Sequence, residues 1–154
     1  MSIPFASIAA QLTGLTVVSF PRTLTKLSAL MTDGGDTSTS VLAAILASDP
    51  LLGAVVLGRA NALSPLSTAS LGTAVKVLGL GSVQQLVQSA QPIPEGNRAA
   101  MSACWQQAHA CAMLCRILGR RVAEISEFDE ATWHSLGLIH DLGGIAARLY
   151  FPNE

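Results

Sequence analysis

The chain has 154 residues, half of them hydrophobic but only 5% aromatic, with nine basic and ten acidic side chains for a formal net charge of −1. That length suits a single domain over 1–154, which buries about 70% of its unfolded surface without disulfides or metal. The near-zero charge excludes the basic excess of a nucleic-acid binder, and an interior of Leu, Val, Ile and Ala favours close-packed helices over an aromatic-rich sheet.

No Lys or Arg precedes Arg22, so the start of the chain has no charged region of a secretory signal. Residues 3–12 read as a weak first helix. "LTVVSF" (15–20) is the one β-like run, and it has no partner of its kind. Phe20-Pro21 precedes a helix over 22–32, with Leu24, Leu27, Leu30 and Met31 on one side. "TDGGDTSTS" (32–40) is a polar loop offering several N-caps, and a short helix over 41–47 follows. In "SDPLL", Asp49 is placed to accept free backbone N–H groups while Pro50 takes the first helical position, where its missing N–H costs nothing. That helix runs to about Asn61. Its apolar residues, Leu51, Leu52, Val55, Val56 and Leu57, nearly encircle it, which predicts a central position. The longest apolar stretch, 41–58, is interrupted by Asp49-Pro50, and an Asp at mid-membrane is costly. A soluble, cytoplasmic chain with no membrane partner is therefore expected.

"ALSPLSTAS" (62–70) is a connection. Ser70 is predicted to cap a helix carrying Leu71, Ala74, Val75 and Leu78, which Gly79 ends. Ser82 opens another with Val83, Leu86, Val87 and Ala90 on one face. "QPIPEGN" (91–97) is the clearest break, dividing an N-terminal helical part (1–90) from a C-terminal part (98–154), yet it is too short for a domain linker. The longest helix spans about 98–121. Met101, Cys104, Trp105, Ala108, Cys111, Ala112, Cys115 and Ile117 or Leu118 form its predicted buried stripe. Arg98, Ser102, Gln106, His109, Arg116 and Arg120 form its wet face. A helix over 129–140, then "HDLGG" and a last apolar piece over 145–151, complete the chain.

Chemistry-bearing residues are few. His140 and Asp141 offer one nitrogen and one carboxylate inside an apolar run, whereas a catalytic metal site takes three or more protein ligands and an open position. His109 points with the wet face, and His134 lies six residues before His140, about 120° away on a helix. There is no HExxH, CxxC, GxSxG, P-loop or GxGxxG. "LGLGSV" (78–83) lacks a phosphate-loop Lys and follows a helix. Cys104, Cys111 and Cys115 share one helix face and read as core filler. Arg116, Arg120 and Arg121 suit the C-terminal end of a helix dipole. No catalytic residue, metal site or cofactor is assigned, with His140 and Asp141 kept as a vestigial pair.

Four elements in order give a resemblance. "FPRTLTKL" looks like a Leu-Pro opening segment. "ILASDPLLGAVVLGRANA" carries Ile45, Asp49, Pro50, Leu52, Leu57, Ala60 and Asn61. "SLGTAVKVLGLGSVQQLV" carries Ser70, Leu71, Ala74, Leu78 and Gly79. "GLIHDLGG" follows, with Trp105 in the long helix between. Over about 20–150 the chain resembles the HDOD family, the HD-related output domain of bacterial signalling proteins, truncated at its C-terminal end as either a shortened version or a fragment. The resemblance implies a compact all-α bundle of about eight short to medium helices, an HD-like core joined to an N-terminal helical subregion. HD-type phosphohydrolases hold metal through a His on the long helix, the His-Asp pair and a later Asp. The first of these falls at Gln107 here, a poor ligand for such a site.

The family is regarded as regulatory rather than hydrolytic. A non-catalytic signal-transduction domain acting through protein–protein contact is thus expected, with a partner protein, an adjacent signalling domain or a second copy meeting Ile145, Leu149, Tyr150 and Phe151. Two alternatives stay open. One is a divalent-metal phosphohydrolase using His140 and Asp141 with ligands from another chain. The other is a cyclic-dinucleotide sensor in which Arg116, Arg120 and Arg121 meet phosphates.

Overall fold

The computed structural model describes residues 17–32, 38–64 and 68–150. The predicted helix over 3–12 and Phe151 lie outside them. Among the described residues the architecture is all-α, with seven α-helices against about eight expected. In chain order they are β1 (Val18–Ser19), α1 (Pro21–Thr32), α2 (Thr39–Leu46), α3 (Pro50–Leu63), α4 (Leu71–Ser89), β2 (Gln91–Pro92), α5 (Arg98–Arg121), α6 (Glu130–Ile139) and α7 (Leu142–Tyr150), with a single 3-10 turn at Glu95–Asn97. No helix among the described residues is long and apolar enough to cross a membrane.

α3 is central, as its apolar circumference predicts. Leu52, Val56, Leu57 and Ala60 lie in one core cluster with Leu27 of α1, Leu42 and Leu46 of α2, Leu71 to Val87 of α4, and Ala108, Ala112 and Leu138. Leu51 turns the other way, into a smaller cluster with Ile93, Met101, Cys104, Ile145 and Leu149. Asp49 fastens the start of this helix. Its carboxylate is fully buried. One oxygen accepts the Leu51 and Leu52 N–H groups, each at 3.0 Å. The other accepts the Ser19 hydroxyl at 2.6 Å and the Phe20 N–H at 2.9 Å. The cap therefore serves two segments thirty residues apart, and four polar groups that would otherwise be unpaired in the interior find their acceptor in it.

The β-like run does have a partner. Val18 and Ser19 pair in parallel with Gln91 and Pro92, inside the segment read as a plain break. A proline is tolerated there because the bonding donors are its neighbours: Gln91 N–H reaches the Val17 carbonyl at 2.9 Å and Ile93 N–H the Ser19 carbonyl at 3.0 Å. The two helices predicted around 70–90 run together as α4, kinked at Gly79, where φ is +73° and ψ 160°. Only glycine adopts that conformation without strain. Ser70 makes no side-chain cap bond; the Leu71 N–H is met instead by the Ser135 hydroxyl of α6 at 3.4 Å. Beyond α3, Asn61 clamps the connection to α4, donating to the Thr68 carbonyl at 2.8 Å and accepting its N–H at 2.6 Å.

α5 and α6 form the most extensive helix pair and run antiparallel, Trp133 lying over Gly119 and Gly137 over Ala112. Small residues allow the approach. A Cβ on Gly137 would fall 2.8 Å from the Ala112 Cα and the Cys111 carbonyl, and one on Gly119 would collide with the Trp133 ring. This register corrects the predicted stripe of α5. Met101, Cys104, Ala108 and Ala112 are buried as expected, and Trp105, Cys111 and Cys115 are half-buried, but the stripe continues to Gly119. Ile117 and Leu118 face outward. The proposed contact surface at the end of the chain is corrected too. Ile145 and Leu149 are 2% and 6% exposed, already spent on the smaller core cluster, and Asn97 donates to the Leu149 carbonyl at 3.2 Å. Tyr150 is half-buried beside them.

Asp49→Ala strands its four buried donors, so it should cost about 3 kcal/mol, read as a lower urea midpoint at unchanged slope. Gly137→Ala should cost about 1–3 kcal/mol because backbone cannot yield to the new methyl. Gly143→Ala, whose Cβ meets nothing within 4 Å, should be neutral or slightly stabilising in the same assay.

Candidate functional site

The His-Asp pair sits where α6 gives way to α7. His140 closes α6 and is exposed, not enclosed by the apolar run around it. Its Nδ1 lies 2.8 Å from the Gly137 carbonyl, so that nitrogen donates. Asp141 is half-buried, with its carboxylate against Gly144 in the first turn of α7 and Arg148 Nη1 at 3.9 Å. Gln107, at the position of the family's first histidine, is exposed. Among the described residues no three His, Cys, Asp or Glu side chains gather to hold a metal ion. The thiols do not supply one: Cys104 is buried, and burial together with neighbouring Cys111 pushes the Cys115 thiol up.

The other histidines meet at the opposite end of α6. A cavity of about 520 Å³ is bounded by His109, Met113 and Arg116 of α5 and by Glu130, Ala131, His134 and Ser135 of α6. Its remaining walls are Ala43, Ala44 and Ala47 in and after α2, Ser48, and Leu71 and Gly72 of α4. His109 is drawn off the wet face predicted for it. Its ring packs on Trp105 at 4.4 Å, and its Nε2 lies 3.1 Å from the Ser48 carbonyl. The Trp105 indole N–H donates to that same carbonyl at 2.6 Å. Ser48 ends the turn between α2 and α3, where its carbonyl has no place in either helical ladder, so two side chains of α5 take it up.

His134 is half-buried and makes no hydrogen bond to any described residue. Burial lowers its pKa, and the charges of His109 and Arg116 lower it further. Glu130 receives Arg116 Nε at 3.2 Å and Arg120 Nε at 2.7 Å. The two guanidinium groups hold its carboxyl below the usual range. These contacts account for Arg116 and Arg120 of the arginine cluster, since a carboxylate at the start of α6 meets cations at the end of α5 and both helix dipoles favour the arrangement. A helical wheel cannot show that His109 and His134 converge, because the pairing depends on the antiparallel register of two different helices.

A second depression, of about 640 Å³, lies across Trp105 between the start of α1 and the start of α5. Phe20, Arg22, Lys26, Arg98 and Gln106 border it, and the cations stand on exposed helix faces.

Comparison with known proteins follows the same lines. The family model described as HDOD domain matches residues 17–154. Two crystal structures of the MmoQ response regulator from Methylococcus capsulatus str. Bath resemble the chain. One matches at 26% identity and a TM-score of 0.75, over 92% of this chain and 57% of that one. The other, a fragment of residues 20–298, matches at 26% identity and a TM-score of 0.72, over 89% and 54%. The chain thus spans little more than half the length of these structures. None of the curated proteins matches it.

Since the pKa of His134 is lowered by folding, the unfolded chain binds its proton at a higher pH than the folded one. Just below the ordinary value of 6.5 the unfolded state therefore carries more protons, and stability falls as pH drops through that window. Urea titrations at pH 7.5 and 5.5 should show this loss in the parent chain, and His134→Gln should reduce it.

Proposed function

The chain belongs to the HDOD domain family, and we propose that it is a non-catalytic regulatory domain that works by protein–protein contact. The observation that carries this reading is the outer face of α5. Met113, Leu114, Ile117 and Leu118 stand there at spacings of one, three and one, each between 49% and 61% exposed. Ile125 and Phe128 in the turn that follows are exposed as well. Large side chains clustered in this way mark a surface that another molecule covers. Burial returns about 25 cal/mol for each Å² taken from water. The face lies opposite the packed stripe of the same helix, so it is available without any rearrangement of the core.

Two further observations support the regulatory reading. The residues that carry the family resemblance act as fasteners: Asp49 caps, Asn61 clamps, Gly79 kinks and Gly137 admits a neighbouring helix. The structural neighbours are response regulators by name, which favours a signalling context, and we place the domain in a bacterial cytoplasm. A phosphohydrolase would need ligands beyond His140 and Asp141 from another chain. A cyclic-dinucleotide sensor would need Arg116 and Arg120 released from Glu130.

The test is a photo-cross-linking residue placed at Leu118 in the native cell. Discrete adducts with one protein, or with a second copy, are expected at Leu118 and not at exposed Lys76 of α4. With the cross-linker kept at Leu118, Leu114→Ser with Ile117→Ser should abolish them while the purified variant melts within a few degrees of the parent. Absence of adducts from a folded chain would overturn the contact reading.

A further inference from the structure

We propose that the cavity between α5 and α6 binds a small molecule bearing an oxyanion, a phosphoryl or carboxylate group held among His109, His134 and Arg116. The inference is independent of the contact surface on the outer face of α5. It starts from a convergence: three nitrogen-bearing side chains from two helices border one concave space of about 520 Å³, within the size range of small-molecule sites.

Each of the three has donor capacity to spare. His134 is half-buried and has no hydrogen-bond partner among the described residues, so its ring nitrogens remain open to a ligand. His109 is oriented by the Ser48 carbonyl through Nε2, and on protonation its Nδ1 becomes a second donor. Arg116 uses Nε for Glu130, and its terminal nitrogens bond to no described residue. Glu130, the one carboxylate bordering the cavity among the described residues, is shared between Arg116 and Arg120, so its charge is answered from outside the cavity as well as from within. The walls contributed by α2, α4 and the Ser48 turn bring no titratable side chain. An entering anion therefore meets His109, His134 and Arg116 on one side, with the doubly paired Glu130 beside them, and Ala43, Ala47 and Leu71 on the other. That lining suits a compact anionic head with a short apolar body.

An oxyanion would offset the burial and the neighbouring charges that now disfavour the His134 imidazolium, by placing a negative charge beside it. The protonation state of His134 therefore reports occupancy. The experiment follows the histidine ring protons of the whole chain by NMR during pH titration, in sodium phosphate, sodium acetate or sodium chloride at matched ionic strength. Phosphate or acetate, or both, should raise the His134 midpoint in a saturable way that chloride does not reproduce. Phosphate alone assigns a phosphoryl ligand, and acetate alone a carboxylate. Arg116→Gln should weaken the effective anion about tenfold or more, whereas Arg22→Gln, in the other depression, should leave it unchanged. If Arg116→Gln fails to fold, calorimetric titration of that anion into His134→Gln replaces it, with loss of the binding heat expected. Identical His134 midpoints in all three salts overturn the proposal. So does an anion effect that survives loss of Arg116, or a binding heat that survives loss of His134.

Discussion

The buried carboxylate of Asp49 is the constraint on which the helical arrangement rests. A charge with no access to water is tolerated only when hydrogen bonds replace its hydration. Here the backbone of α3 supplies two of them, and the Ser19 hydroxyl and Phe20 N–H supply the others. The carboxylate thereby sets both the first turn of the central helix and the point at which the chain enters α1. The neighbouring residue carries the consequence outward. With Asp49 fixed, the Ser48 carbonyl faces α5, and Trp105 and His109 gather on it. A structural cap on one helix thus determines where a histidine on another helix stands.

The second organising contact is the close approach of α5 and α6. Ala112 beneath Gly137, and Gly119 beneath Trp133, fix their separation and register. From that register follow the cavity at one end, where His109 faces the His134 side, and the exposed turn of His140 and Asp141 at the other. The same packing consumes one face of α5 with small residues and leaves Met113, Leu114, Ile117 and Leu118 on the outside. Cavity and apolar face are thus two sides of one helix, and Met113 belongs to both.

Local signals were legible in the sequence and long-range ones were not. The Asp49-Pro50 start, the Gly79 break and the bounds of α5 each follow from residues within one or two turns of each other. The composition and the ordered elements also led to the family. What failed needed knowledge of a distant partner. Ser70 is a good cap by type, but Ser135 takes the position. Val18 and Ser19 pair with a proline-bearing segment that no strand pattern would select. Ile145 and Leu149 look like an unfinished surface until Leu51, Ile93 and Met101 are brought to them. The stripe of α5 departs from expectation at Ile117 and Leu118 because side-chain size is a poor guide to burial at a close helix contact. Gly119, seven residues after Ala112 on the same face, was the better marker, since a helix that must approach closely buries its smallest residues.

The parallel pairing of Val18–Ser19 with Gln91–Pro92 has a consequence for how the chain is assembled. All of α1 to α4 lies between the two strands in sequence, so pairing them carries the closure entropy of a loop that contains those four helices, a cost that contacts within one helix do not bear. Asp49 takes part in both kinds of contact. Its bonds to Leu51 and Leu52 form within a single turn, as soon as α3 nucleates. Its other oxygen bonds Ser19 and Phe20, about thirty residues earlier in the chain, which makes the opening segment a latch held by the same carboxylate.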